Sequence, residues 1–202
     1  MGFKKYYIVA NTRDQFQNES KRSVRPYSDH PSRESVDFVA SELTKAGFET
    51  ELFGGVEQLI EACEQKQTFS NVMFLNFSDG LNHISRKAQS ALLLELLGVP
   101  YAGSDPLARL MAGNKAYAKR IVSKKIDVPH SITVFKQEQI PTNLQFPVII
   151  KPNREGSSLG ITQESLCTDL SQVQSRLPKL LARFQEILIE EYIPGYELTC
   201  FI

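Results

Sequence analysis

The alternation of strand-like and helix-like segments through the first hundred residues constrains the fold of this chain most. Residues 6–10 and 72–75 are short apolar runs of the kind that forms strands. Residues 32–46 and 84–97 carry apolar side chains at the three-and-four spacing of helices that bury one face. Strands that alternate with crossover helices form a parallel sheet. The sequence therefore predicts an α/β domain with a Rossmann-like parallel sheet over residues 1–104.

The pattern changes at Asp105, where a helix begins with an acidic cap followed by proline. Asn114 can cap a second helix. Two apolar strands follow, at residues 146–151 and 187–192, separated by a glycine-serine turn and a helix. Such a mixture is typical of a small α+β subdomain rather than a second doubly wound sheet. We place a domain boundary between residues 104 and 105.

Composition excludes several classes of protein. The 23 Lys and Arg residues balance 23 Asp and Glu residues, so charge gives no reason to expect a nucleic-acid or membrane-surface partner. The apolar stretch near the N-terminus is too short for a signal sequence or a membrane span, which favours a cytoplasmic protein. The three cysteines are scattered, with no CxxC pair, and are expected to be reduced thiols: Cys63, Cys167 and Cys200.

The segment from residue 146 to residue 161 is the most informative for chemistry. A strand ends in Lys151, and a loop rich in small residues follows, with Gly156, Ser157 and Ser158. Glycine and serine let successive backbone N–H groups approach an anion, and a lysine at a strand end supplies a point charge. The pattern predicts a phosphate site, although it is not the P-loop motif and a hairpin turn beside a solvated lysine is the alternative.

Four blocks of the sequence resemble the ATP-grasp ligases, in the branch of the D-alanine:D-alanine ligases. They occur in the family's order and spacing and cover roughly the second half of the chain. They are residues 96–104, Asn114-Lys115 with Lys119-Arg120, residues 151–161, and residues 189–199. The resemblance implies an ATP-grasp small subdomain over residues 105–189 and the first strand of a further ATP-grasp subdomain over residues 190–202.

The resemblance also implies roles for the loop and the lysines. Lys115 and Lys151 would contact the α- and β-phosphates of ATP. Ser158 would reach the terminal phosphate, Ser157 would help to hold the amino group of the first substrate, and Gly156 would keep the backbone close to it. For Lys115 the alternative is a solvated basic helix face, because the segment from 109 to 125 has no acidic residue.

The segment from 189 to 193 resembles the family's hinge strand, which reads the adenine edge with its backbone. Glu190 and Ile193 would occupy the reading positions, and Glu197 would accept hydrogen bonds from the ribose hydroxyls. An edge strand with exposed backbone groups suits this task, because adenine presents a donor beside an acceptor. The alternative for Glu190, Glu191 and Glu197 is an acidic surface strand.

The first half departs from the family's pattern. The family's serine-acid motif near the start is matched at best by Ser32-Arg33-Glu34, which makes Glu34 a candidate for orienting a substrate amino group. Residues 76–82 stand where typical members carry His-Gly and Gly-Glu-Asp-Gly, which puts the identity of the amino-acid substrate in question. The histidines lie outside every matched motif and are expected on the surface or in loops: His30, His83 and His130.

The resemblance implies an ATP-dependent ligase that joins a carboxylate to an amine through an acyl-phosphate, with D-alanine as the first substrate to test. ATP and Mg²⁺ are the expected cofactors, and amino acids are the expected substrates; a homodimer is compatible with the family. The family's metal ligands lie downstream of the last matched strand, so the 202-residue chain alone is expected to be inactive. The alternatives are a ligase for other amino acids and a non-catalytic nucleotide-binding module.

Overall fold

The computed structural model describes residues 2–19, 29–81 and 84–198, apart from the side chains of residues 17–19. The chain forms two compact units, Met1–Gly113 and Asn114–Ile202. Within the described ranges, no helix is long and apolar enough to cross a membrane.

The first unit contains a parallel four-stranded sheet, as the sequence predicts. Its strands lie in the order β2-β1-β3-β4, and β1 pairs with β2 on one side and with β3 on the other. The chain therefore moves outward from β1 in both directions, and the carboxyl ends of β1 and β3 form the topological switch point where ligands bind in such sheets. The strands are β1 (Lys5–Val9), β2 (Glu49–Gly54), β3 (Val72–Asn76) and β4 (Tyr101–Ala102).

Helices cover both faces of this sheet. One cluster of buried side chains includes Val9, Leu59 and Phe74, and a second includes Ile8 and Val36. Because neighbouring strand residues point to opposite faces, Ile8 and Val9 belong to different layers. The helices are α1 (Arg33–Lys45), α2 (Val56–Glu64), α3 (Arg86–Leu96) and α4 (Pro106–Ala112), and a 3₁₀ helix spans Arg13–Glu19.

The second unit contains an antiparallel sheet in the order β5-β8-β6-β7. The strands are β5 (Ser131–Val134), β6 (Val148–Pro152), β7 (Leu166–Cys167) and β8 (Ile187–Glu191). Two helices accompany it, α5 (Lys115–Val122) and α6 (Leu170–Leu181). Helix α6 packs against β6, β7 and β8, and buries Val173 and Leu177.

The limits of some elements differ from the sequence predictions. Helix α5 ends at Val122. The residues after α3 form the short strand β4, which is absent from the sequence predictions. The two compact units divide after Gly113, whereas the sequence places the boundary after residue 104, because α4 packs against α3 and so belongs to the first unit. The predicted boundary before residue 190 falls inside β8.

Candidate functional site

The loop that follows β6 holds its two serines in an unusual backbone conformation. Ser157 has φ 49° and Ser158 has φ 56°, in the left-handed region that side chains other than glycine seldom adopt. The amide of Leu159 donates to the carbonyl of Gly156 at 2.9 Å, and the amide of Ile161 donates to that of Ser158 at 3.0 Å. Both serine side chains are exposed. The loop is thus internally hydrogen-bonded and leaves both hydroxyls accessible to a ligand.

Gly160 closes this loop against the rest of the unit. Its φ is +79°, and an added Cβ would lie 2.7 Å from Pro152 Cγ and 2.8 Å from Phe184 Cε2. By contrast, an added Cβ at Gly156 would have no atom within 4 Å. The packing of the loop therefore requires glycine at position 160. At position 156 there is room for a larger side chain.

Lys115 connects helix α5 to the end of β6. Its Nζ donates to the carbonyl of Pro152 at 2.9 Å and makes a short hydrogen bond to the carbonyl of Glu155. The prediction that Asn114 caps a helix, which then begins at Lys115, is confirmed. In this structure its ammonium group stabilises the start of the serine loop.

Lys151 faces a buried carboxylate. Ile149 of β6 pairs with Glu190 of β8, so Lys151, two residues further along the same face, lies diagonally across from Glu190 and within reach of it. Lys151 Nζ donates to Glu190 Oε1 at 2.5 Å. Lys119 of α5 lies on the other carboxylate oxygen, with its Nζ 2.6 Å from Oε2. The Glu190 side chain is only 8% exposed, which rules out a surface strand as its explanation.

Strand β8 is not an edge strand, and the prediction that it lies at an edge is wrong. Glu190 pairs with Ser131 of β5 on one side and with Ile149 of β6 on the other. An antiparallel partner on each side occupies the backbone groups that an edge strand would leave exposed. Beyond the strand, Ile193 and Glu197 are exposed. Thr199, the last residue of the matched block, lies outside the described residues.

A buried amide network that sequence reasoning missed holds these elements together. Asn153 is fully buried; its Nδ2 donates to Asn114 Oδ1 at 2.9 Å and to Glu186 Oε1 at 2.7 Å. Its Oδ1 accepts from the amide of Ala116 at 2.9 Å, and Glu186 also accepts from Arg154 Nε at 2.6 Å. The network joins the start of α5, the end of β6 and the start of β8. The polar residue directly after the Lys151-Pro152 strand end is the sequence signal that could have indicated it.

The carboxyl edge of the parallel sheet in the first unit is also polar. Asn11, just after β1, accepts from Ser78 Oγ at 2.9 Å and from the amide of Val56 at 3.1 Å through its Oδ1. Its Nδ2 donates to Glu57 Oε2 at 2.9 Å. The candidate Glu34 lies in the first turn of α1 and is exposed. The segment from 76 to 82, which departs from the family's motif, joins this strand-end network through Ser78. Asn82 lies outside the described residues.

A chain of ion pairs lies beside this edge. Arg86 Nη2 is 2.5 Å from Asp29 Oδ2, and Lys87 Nζ bridges Asp29 at 3.2 Å and Asp79 at 2.7 Å. Arg109 Nη2 lies 2.8 Å from Asp79 Oδ1. Burial alone would raise the pKa of Asp29, but the hydrogen bond and charge of Arg86 and the charge of Lys87 outweigh it, and the pKa falls below its ordinary 3.8.

His30 lies in a loop, one of the two predicted locations, but it is buried there and not on the surface. It is 2% exposed, and its Nδ1 lies 3.0 Å from the carbonyl oxygen of Asn11. Burial lowers the pKa of His30 below 6.5, partly offset by this hydrogen bond. His130 is exposed, as predicted, and His83 lies outside the described residues.

The thiols that the structure describes are free, as predicted. Cys63 is partly buried and Cys167 is buried, and burial raises the pKa of each thiol. Cys200 falls outside the described ranges. Among residues 2–19, 29–81 and 84–198, no group of three or more His, Cys, Asp or Glu side chains could hold a metal ion.

Comparison with known proteins relates this geometry to a family. The family model described as "D-ala D-ala ligase C-terminus" matches residues 122–202. The D-alanine–D-alanine ligase of Thermotoga sp. (strain RQ2) is 27% identical over 174 residues, which are 85% of this chain and 54% of the relative. The chain is therefore similar in sequence to D-alanine–D-alanine ligases. It spans about half the length of the curated relatives of that family that it matches.

Solved structures of this family and of related ligases share the fold. D-alanine–D-alanine ligase from Bacillus anthracis complexed with ATP has a TM-score of 0.62 and 20% identity, covering 96% of this chain and 60% of that one. The VanG D-Ala:D-Ser ligase from Enterococcus faecalis has a TM-score of 0.64 and 19% identity, covering 96% of this chain and 64% of that one. The predicted fold, a Rossmann-like parallel-sheet domain followed by an α+β ATP-grasp subdomain, is confirmed.

Proposed function

We propose that the protein is an ATP-dependent ligase that activates an amino-acid carboxylate as an acyl-phosphate and joins it to the amine of a second amino acid. The observation that carries this proposal is the arrangement at the end of β6, where an accessible serine loop follows a strand whose last two residues are Lys151 and Pro152. Exposed hydroxyls and a fixed cation suit the binding of a phosphate chain. The family supports the reaction type, and one solved relative binds ATP.

Each candidate residue has a place in this proposal. Lys115 and Lys151 bind the α- and β-phosphates, and Gly156 lets the loop backbone approach them. Ser158 binds the terminal phosphate, and Ser157 orients the amino group of the first substrate. Without nucleotide, the Lys115 ammonium group donates to the neutral carbonyls of Pro152 and Glu155. Binding a phosphate replaces these acceptors with an anionic one, and hydrogen bonds between ionised groups are stronger than those to neutral acceptors.

The nucleoside is assigned to the segment after β8 and the amino acid to the first unit. Glu190 and Ile193 flank the adenine edge, and Glu197 accepts from the ribose hydroxyls. Glu190 borders this position from the end of β8, where its backbone is paired in the sheet and its side chain is bound by the lysines. Glu34, exposed in the first turn of α1, orients the substrate amino group. Mg²⁺ is proposed as the second cofactor, because it neutralises the charge that develops during phosphoryl transfer.

D-alanine is the first substrate to test, and other amino acids are the alternative. The alternative is favoured by the strand-end segment from 76 to 82, where the family's Gly-Glu-Asp-Gly is replaced. There Ser78 and Asp79 are bound to Asn11, Lys87 and Arg109. Of two solved relatives, one is a D-Ala:D-Ser ligase, so substrates differ among proteins with this fold.

The test is an assay of ADP and dipeptide formation by the protein as its source cell produces it, with a panel of D- and L-amino acids. We expect ADP release that depends on an amino acid, with a dipeptide of matching mass. Ser158→Ala should slow product formation, whereas Ser175→Ala, at an exposed position on α6, should not. ATP binding without product from any amino acid would instead identify a non-catalytic nucleotide-binding protein. The 202-residue chain assayed alone is expected to bind ATP without turnover.

A further inference from the structure

Lys119 has no role in the proposed chemistry, yet the structure fixes its side chain at two points. Its Nζ donates to the carbonyl of Pro129 at 3.1 Å and lies 2.6 Å from Glu190 Oε2. The side chain is 18% exposed, so water screens the ion pair only in part. Helix α5 and the segment before β5 therefore hold this cation against β8.

Glu190 is shared between two lysines. Lys119 binds one oxygen and Lys151 binds the other, at 2.6 and 2.5 Å. The three side chains are 18%, 17% and 8% exposed for Lys119, Lys151 and Glu190. The cluster has two positive charges and one negative charge, and therefore carries a surplus positive charge on the face of the sheet that presents Lys151.

The sharing of Glu190 between two lysines affects how easily Lys151 can leave Glu190 to bind a phosphate. The Lys151 ammonium group has three N–H donors, one of which is directed at Glu190 Oε1 at 2.5 Å. Movement of the ammonium group towards a phosphate oxygen lengthens and weakens that ion pair. If Lys151 were the only cation beside Glu190, its departure would leave a buried carboxylate without a counter-ion. Removing one partner of a buried ion pair is strongly unfavourable for this reason. Lys119 supplies the second counter-ion, and Pro129 keeps it in place.

We propose that Lys119 is a positioning residue that retains the Glu190 carboxylate while Lys151 transfers from Glu190 to a phosphate of the nucleotide. This inference rests on the proposed nucleotide site. Without Lys119, Glu190 would hold Lys151 in the resting position, and the phosphate would have to compete for it. The contribution of Lys119 therefore appears in the binding of the phosphates, and the adenosine part of the ligand is unaffected.

The test compares the affinities of ADP and adenosine for the full chain by isothermal titration calorimetry. Lys119→Met is expected to weaken ADP binding about tenfold or more, equivalent to about 1.4 kcal/mol, and to leave adenosine binding unchanged. Lys119→Arg keeps the charge and should bind ADP like the unaltered chain. Lys124→Met, at an exposed position shortly after α5, is the matched control and should change neither affinity.

A double variant separates positioning from a loss of structure. In the Glu190→Gln background the carboxylate that holds Lys151 is gone, so adding Lys119→Met should cost little further ADP affinity. Equal losses for ADP and adenosine, or a full Lys119→Met penalty in the Glu190→Gln background, would overturn the inference. Failure of the unaltered chain to bind ADP would instead refute the proposed nucleotide site.

A second measurement tests the shared carboxylate without nucleotide. The rate at which acetic anhydride acetylates Lys151 is followed by peptide mass spectrometry. Lys119→Met should slow this labelling, because Glu190 then binds Lys151 alone, and adding Glu190→Gln should restore the rate. An unchanged rate in Lys119→Met would contradict the inference whatever the outcome of the titrations.

Discussion

Gly160 is the residue at which the serine loop tolerates least change. A methyl group there would overlap Pro152 and Phe184, at 2.7 and 2.8 Å, in a left-handed backbone conformation. Gly160→Ala should therefore lower the free energy of unfolding by about 1–3 kcal/mol, the usual cost of overpacking. Gly156→Ala, where the added atom meets nothing within 4 Å, is the matched control and should change stability by less than about 0.5 kcal/mol. Chemical denaturation of both variants measures the difference, and equal losses would contradict this packing.

His30 gives the first unit a pH-dependent stability. Its pKa is lowered in the folded chain, so the unfolded chain binds more protons as the pH falls below 6.5. Stability contributed by the neutral ring is present above pH 6.5 and is lost as the pH falls toward the folded-state pKa. Asp29, whose pKa is also lowered, adds a second loss below pH 3.8.

The prediction is that urea midpoints fall between pH 7 and pH 5, and that His30→Gln reduces the slope of this fall. His130→Gln replaces an exposed histidine and should leave the slope unchanged. A slope that His30→Gln does not alter would show that other groups carry the dependence.

Single residues also show where sequence reasoning stops. The lysine at the strand end and the serines after it were identifiable, because their types and spacing express their chemistry directly. The burial of His30 and Glu190 was not, because each depends on contacts with residues distant in sequence. Glu190 and Glu191 are neighbours with the same side chain, and only the first is buried.

Among the elements, helix α5 depends on its N-terminal cap more than α6 does. Asn114 Oδ1 accepts from the amide of Tyr117 at 3.0 Å and also from the buried Asn153 at 2.9 Å. Asp169 caps α6 by accepting from the amide of Gln172 at 2.9 Å, at an exposed site. Losing a cap and leaving a buried donor without its acceptor are separate costs.

Asn114→Ala should accordingly lower the free energy of unfolding by about 2 kcal/mol, and Asp169→Ala should lower it by less. Circular dichroism during thermal unfolding compares the two variants. An Asp169→Ala loss as large as the Asn114→Ala loss would show that Asn153 adds nothing to the cap.

Elements with a long periodic pattern were predictable, and short or long-range features were not. Helices α1 and α3 follow the predicted segments 32–46 and 84–97 closely, because apolar spacing marks a helix face. Strands β4 and β7 have two residues each, too few for periodicity. The central place of β8 depends on pairing with β5 and β6, which no local pattern specifies.

For the whole molecule, the parallel sheet and a separate small α+β subdomain were both expected, and the resemblance to ATP-grasp ligases pointed to the same two parts. The order β5-β8-β6-β7 and the buried network around Asn153 were not available from the sequence, because they arise when distant segments meet. Those features nevertheless determine the positions of Lys115, Lys119, Lys151 and the serine loop. Nucleotide binding at the end of β6 is therefore the property on which the proposed function depends most.

The most direct test of nucleotide binding there is the affinity of the full chain for ADP with and without the Lys151 ammonium group. Lys151→Met leaves Glu190 paired with Lys119 and so should preserve the fold. We predict that it weakens ADP binding at least about tenfold, while Lys179→Met, at an exposed position in α6, binds like the unaltered chain. ADP affinity that is the same for both variants would contradict a phosphate site at the end of β6.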